Sequence, residues 1–142
     1  MNKEEIMTIL PHRDNMLLVD DMEVVGDECI AHYHVRGDEF FLKGHFPGYP
    51  VVPGVILCEI MGQSCSILIK DELAGKTPLY AGLDKVRFKR QVRPGDTLEV
   101  RGHITMRRSH NFFAEAEATV DGQLAVKGTL SFVLVENETL NH

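Results

Sequence analysis

The chain has 142 residues, 44% of them apolar and 25% charged, which suits one domain with a real core and excludes a disordered chain. Its formal net charge of −6 argues against general affinity for nucleic acid. No apolar run approaches the roughly 18 to 20 residues that cross a bilayer. The start Met1-Asn2-Lys3-Glu4-Glu5 also lacks the basic end and apolar centre of a secretory signal, so a soluble cytoplasmic protein without a membrane partner is expected.

Lys3 to Leu10 is predicted as a short helix stopped by Pro11, Met16 to Val25 as a strand, and Cys29 to Arg36 as a second strand. In the second strand His32, His34 and Arg36 share one face, and Ala31, Tyr33 and Val35 the other. Residues 44–54 hold three of the six prolines and three glycines, a loop stiff at some positions and open to left-handed geometry at others. Val55 to Leu73 is the one long helical candidate, with apolar residues all round its axis, and burial on nearly every side is expected.

Four alternating stretches follow Gly75-Lys76-Thr77-Pro78. Leu98, Val100, Gly102, Ile104 and Met106 oppose Glu99, Arg101, His103, Thr105 and Arg107. Phe112, Ala114, Ala116, Ala118 and Val120 repeat the pattern, and their alanines leave room for a helix. Asp121-Gly122 signals a tight turn before Leu124 to Leu134, and the tail Glu136 to His142 is expected to fray. The order is α+β, one antiparallel sheet able to curl around one central helix, in a single domain spanning residues 1–142. Cys29, Cys58 and Cys65 form no CxxC unit and are expected as reduced core thiols; no metal site is indicated.

Two ionisable groups stand out. Glu59 lies inside the apolar helix with Gln63 one turn on, so it is either a dry carboxyl with a raised pKa or a rim carboxylate neutralised by an arginine. His45, held by Gly44 and Phe46-Pro47-Gly48, is either a neutral general base or a structural histidine bonded to a backbone carbonyl. Pro53-Gly54 opens the helix, so the Gly54 N–H is a donor for a developing oxyanion unless the pair merely starts the helix. His12, His32, His34, His103 and His110 have no convincing ligand spacing and are read as surface or packing residues. Between residues 85 and 108 eight cations face only Asp96 and Glu99, a stretch suited to an acidic partner or to a solvated sheet face.

The motifs Leu10-Pro11-His12-Arg13, Gly44-His45-Phe46-Pro47-Gly48, Pro50, Pro53-Gly54-Val55, Glu59, Gln63, Phe88-Lys89-Arg90 and Pro94-Gly95-Asp96 run in order over almost the whole chain. Together they resemble the beta-hydroxyacyl-[acyl-carrier-protein] dehydratases of bacterial fatty-acid synthesis. The resemblance implies a hot-dog fold of about six strands around the helix. It also implies a homodimer whose sites pair His45 of one subunit with Glu59 of the other, and a trimer of such dimers. The implied reaction is reversible removal of water from a beta-hydroxyacyl thioester to give the trans-alpha,beta-enoyl thioester, with no cofactor beyond the phosphopantetheine arm of acyl carrier protein. His45 would take the alpha proton, Glu59 would serve the beta hydroxyl, Gly54 would bond the thioester carbonyl, and the Val51 carbonyl would orient His45.

The resemblance further implies substrate-binding roles for Gln63 and Tyr80, with Tyr80 either a tunnel gate or an ordinary sheet aromatic. Ile56, Leu57, Ile60 and Phe88 are candidates for the acyl tunnel, and Lys85, Lys89, Arg90, Arg107 and Arg108 for docking the acidic carrier. Three other readings stay open. A dehydratase that also isomerises the double bond is disfavoured because the best-known bifunctional pattern carries aspartate at the Glu59 position. A hot-dog thioesterase does not explain His45 with Glu59, and a non-catalytic acyl-thioester-binding module does not explain why both ionisable groups are kept.

Overall fold

The computed structural model describes residues 1–140. Helix α1 (Lys3–Ile6) is shorter than its periodicity suggested. A capping box starts it: the Asn2 side chain accepts the Glu5 N–H at 2.9 Å, and the Asn2 N–H donates to Glu5 at 3.2 Å. After Ile6 the chain runs in turns rather than helix to Leu10.

Strands β1 (Asp21–Val25) and β2 (Glu28–His34) pair antiparallel. The first strand begins five residues later than predicted, for a local reason. Leu17, Leu18 and Val19 are buried, but the Leu18 N–H bonds the Gln63 side chain at 2.8 Å, and the Met16 carbonyl accepts from the same amide at 2.7 Å. A side chain thus occupies backbone groups that a sheet neighbour would otherwise bond. On β2 the predicted faces are found: Cys29, Ala31 and Tyr33 are buried while His32 and His34 face outward.

Helix α2 (Gly54–Cys65) continues as a 3-10 turn over Ser66–Ile69 and stops well short of Leu73. Two serines explain the change. Ser64 Oγ donates to the Ile60 carbonyl at 2.7 Å and Ser66 Oγ to the Gln63 carbonyl at 2.5 Å, and this back-bonding, together with the Ser66 N–H on Gln63, tightens the turn. From Leu57 onward α2 is buried on most sides, as expected, although Val55 in its first turn is exposed.

Strands β3 (Lys76–Phe88), β4 (Thr97–Arg108), β5 (Asn111–Val120) and β6 (Gln123–Glu136) complete a six-stranded sheet of order β1-β2-β4-β5-β6-β3, antiparallel throughout. Asp121 and Gly122 both have positive φ, 49° and 80°, the geometry of a two-residue hairpin between β5 and β6. The sheet curls around α2, which packs on β2, β4, β5 and β6. This is the hot-dog arrangement. The alanine row does make room: Ala114, Ala116 and Ala118 are buried, and beside them a Cβ on Gly102 would lie 2.6 Å from Cys65 Sγ.

The tail departs from the expected fraying. Glu136 closes β6, and Asn137–Leu140 form one helical turn (α3) tied down by Asn137 N–H to the Gly75 carbonyl at 3.0 Å and by Thr77 to Asn137 at 2.6 Å. Asn141 and His142 lie outside the described residues.

Candidate active site

The loop before α2 folds back on itself. Val51 N–H bonds the His45 carbonyl at 2.8 Å, and His45 Nδ1 lies 3.0 Å from the Val51 carbonyl. A carbonyl only accepts, so the proton of a neutral ring is on Nδ1 and the Nε2 lone pair is free to take another. Phe46 stacks on the ring at 4.1 Å between centroids. Tyr49 braces the loop, donating to Gln91 at 2.9 Å beneath the Arg93 guanidinium, 3.9 Å from its ring centre.

Pro53 is the N-cap of α2 and supplies no side-chain cap, so the Gly54 N–H is among the outward-pointing donors at the positive end of the helix. Gly54 also admits the Phe88 ring: a Cβ there would sit 2.8 Å from Phe88 Cζ. His45, Val51, Gly54, Leu57 and Phe88 line one open hollow of about 530 Å³, with Lys89 and Arg90 on its wall.

Glu59 faces a different hollow, a mainly apolar cavity of about 220 Å³ also lined by Leu10, Ile69, Pro78, Leu79 and Phe132. Its side chain is only 18% exposed, and burial pushes the carboxyl pKa above its ordinary value, partly offset by the Gln63 amide and the nearby Tyr80 hydroxyl. Gln63 Nε2 lies 3.5 Å from Oε2 and His12 Nε2 lies 3.7 Å from the same oxygen. Tyr80 donates to the Cys58 carbonyl at 3.1 Å, and its hydroxyl is held protonated by burial and by the neighbouring Glu59 charge. A Cβ on Gly62 would lie 2.0 Å from that hydroxyl, so this glycine seats Tyr80 against the helix.

A carboxyl whose folded pKa is raised binds its proton more tightly in the native state than in the unfolded one. Its contribution to stability is fully present below the unfolded carboxyl pKa and is lost as pH rises through the folded pKa. Glu59→Gln is therefore expected to melt close to wild type at acid pH and above it at pH 8. Thermal denaturation across that range checks this; equal melting temperatures at pH 8 would mean that Glu59 pays no desolvation cost.

The predicted residues thus divide into two sets. His45, Val51 and Gly54 line one hollow, Glu59, Gln63 and Tyr80 the other, and the two hollows share no lining residue. Among the expected tunnel residues Leu57 and Phe88 line the His45 hollow, Ile56 is half-buried, and Ile60 is fully buried core. The walls beside Glu59 come instead from segments far apart in the chain, which periodicity cannot bring together. His12, read from the sequence as a surface or packing residue, lines the Glu59 cavity. Its signal was the Leu10-Pro11-His12-Arg13 run.

The five cations scatter. Arg90 bonds Gln91, Val120 and Gln123 and lies 3.7 Å from Asp96. Lys85 lines a separate polar hollow with Glu115 and Lys127. Arg107, at the far end of β4, pairs with Glu72 at 2.6 Å and is followed by exposed Arg108.

Among solved structures the fold is similar to the dehydratase heterocomplex ApeI:P from Xenorhabdus doucetiae, with a TM-score of 0.79 at 19% identity over 96% of this chain and 97% of that one. It is also similar to a point mutant of the fluoroacetyl-CoA-specific thioesterase FlK, with a TM-score of 0.70 at 17% identity over 86% of this chain and 95% of that one. In sequence the chain is 47% identical over 137 residues to the 3-hydroxyacyl-[acyl-carrier-protein] dehydratase FabZ of Clostridium perfringens (strain SM101 / Type A), covering 94% of this chain and 99% of that protein. It is equally identical to the FabZ of Lactococcus lactis subsp. cremoris (strain SK11), covering 94% and 95%. The FabA-like domain family model matches residues 10–129, a span holding both hollows' ionisable groups, and the chain belongs to that family.

Proposed function

We propose that this protein removes water from 3-hydroxyacyl chains carried on acyl carrier protein, reversibly giving the trans-2-enoyl thioester in fatty-acid elongation. The observation that carries the reading is a carboxyl group with a raised pKa on the wall of an apolar cavity, in a chain 47% identical to FabZ dehydratases over nearly its whole length. His45 Nε2 takes the alpha proton, the Gly54 N–H bonds the thioester oxygen as charge develops, and Glu59 gives its proton to the beta hydroxyl, which leaves as water. Both ends need help because the alpha proton is weakly acidic and hydroxide is a poor leaving group.

Since one chain holds the two sets apart, the site is completed by a second copy. Strand β3 supports this: among the described residues it is an edge strand paired with β6 alone, and it exposes Leu79, Tyr80, Leu83 and Phe88. A long apolar edge with a free ladder is a surface that soluble proteins cover. Lys89 and Arg90, beside the His45 hollow, suit the approach of an acidic carrier whose phosphopantetheine arm enters there; no other cofactor takes part. The protein is read as a single cytoplasmic domain over residues 1–142.

The test is incubation with 3-hydroxyacyl carrier proteins of several chain lengths, followed by mass spectrometry. Loss of one water from the carried chain is expected. Release of the free carrier thiol would mean a thioesterase, and binding without any mass change a non-catalytic module.

A further inference from the structure

His12 lies outside every helix and strand, on the wall of the Glu59 cavity. Arg13 pins the segment: its guanidinium donates to the carbonyls of Leu10 and His12 at 2.7 Å each, and to that of Met7 at 3.1 Å. Pro11 stiffens it further. The imidazole is thereby set with Nε2 3.7 Å from Glu59 Oε2, while its Nδ1 is buried with no partner among the described residues.

That orphan nitrogen selects the tautomer. Burial and the Arg13 charge hold the His12 pKa below its ordinary value, so the ring is neutral and carries one proton. On Nδ1 it would be a buried donor with nothing to bond, and a lone pair would face the carboxylate. On Nε2 it points at Glu59 and leaves only a lone pair unpaired. Gln63 Nε2 addresses the same oxygen from 3.5 Å. At 3.7 Å the His12–Glu59 contact is longer than a formed hydrogen bond, and catalytic hydrogen bonds of this kind tighten in the transition-state complex. The other titratable groups around the pair are Tyr80 on β3, Cys58 on α2 and Arg13 beside His12.

We propose that His12 is a positioning residue for the Glu59 acid: with Gln63 it donates to Oε2 in both protonation states and so reserves Oε1 for the proton that the substrate hydroxyl takes. The inference rests on the dehydratase reading above. When the C–O bond breaks, its electron pair leaves on oxygen, which takes the Oε1 proton and departs as water. The charge left on the carboxylate is received by the two Nε2–H donors.

Two substitutions separate donation from packing. His12→Phe keeps a ring and removes the donor, whereas His12→Gln returns an amide donor near the position of Nε2. A lost hydrogen bond to a charged group predicts kcat about 10- to 100-fold lower in His12→Phe, with KM within a few-fold of wild type. His12→Gln is expected to recover most of that loss.

The second readout needs no turnover. In protein labelled with 13C-carboxyl glutamate, the Glu59 resonance is identified by its disappearance in Glu59→Gln. Its titration, and the alkaline limb of the kcat profile, should move to higher pH in His12→Phe and stay near wild type in His12→Gln, because the lost donor favoured the carboxylate. If the phenylalanine variant does not fold, as judged by far-UV circular dichroism, His12→Leu serves in its place. Equal behaviour of the donor-keeping and donor-lacking variants in both readouts would overturn the proposal. Wild-type protein that releases no water would instead refute the dehydratase reading, and the titration would still decide the His12–Glu59 contact.

Discussion

Glu59→Gln and His45→Ala are each expected to lower kcat by about 10²- to 10⁴-fold, the usual contribution of a general acid or base, while the fold and the proposed dimer persist. In the proposed mechanism the two effects come from opposite ends of the reaction. Without Glu59 the departing oxygen must leave as hydroxide, because an amide has no proton acidic enough to give. Without His45 the alpha carbon keeps its proton, although Gly54 still bonds the thioester oxygen. In these proposed roles both groups act on the transition state more than on the bound substrate, so kcat should fall and KM should change little. Stopped-flow or mass-spectrometric turnover of a 3-hydroxyacyl carrier protein, beside sedimentation of each variant, checks this. Either variant turning over at the wild-type rate would remove its residue from the mechanism.

Gln63→Leu is expected to destabilise the protein by about 2–4 kcal/mol and to slow it as well. The amide is 2% exposed and holds two backbone groups, accepting the Leu18 N–H and donating to the Met16 carbonyl. Leucine fills a similar volume and bonds neither. Leaving the buried Leu18 N–H bare costs about 1–3 kcal/mol, more than the hydrogen bond was worth net, and the part-buried Met16 carbonyl adds less. The same substitution removes a donor from Glu59, so activity should fall beyond what the unfolded fraction explains. Urea unfolding with turnover assayed in parallel separates the two losses. An unchanged midpoint would show that the segment from Met16 to Leu18 holds its path without Gln63.

That double role of Gln63 shows where the sequence was legible and where it was not. Alternation in β4, β5 and β6 reported the sheet because these strands bury one face over most of their length, and the alanine row of β5 reported the helix lying across it; past Ile104 a register shift in β4 leaves Met106, expected on the buried face, 44% exposed. The Asp121-Gly122 hairpin was legible because two residues with positive φ leave few alternatives. The start of β1 was not, since its ladder yields to a side chain 45 positions away. Nor was the end of α2, where serines bonding back to carbonyls compete with the apolar period. At the site, His45, Gly54 and Glu59 announced themselves by ionisable or helix-opening chemistry set among apolar and proline-rich neighbours. Leu10, Ile69 and Phe132 around Glu59 look like any core residue until the fold brings them to one cavity. His12 escaped because spacing along the chain says nothing about the carboxyl that faces it.

In the proposed mechanism His45 and Glu59 reach one substrate from two chains, and subunit mixing tests that most directly. His45→Ala and Glu59→Gln proteins, each inactive, are unfolded together in equal amounts and refolded. Random pairing makes about half the dimers mixed, and each mixed dimer has one site with both groups native, so about a quarter of wild-type activity should return. If each site were built within one chain, every site in the mixture would still lack a group and no activity would appear.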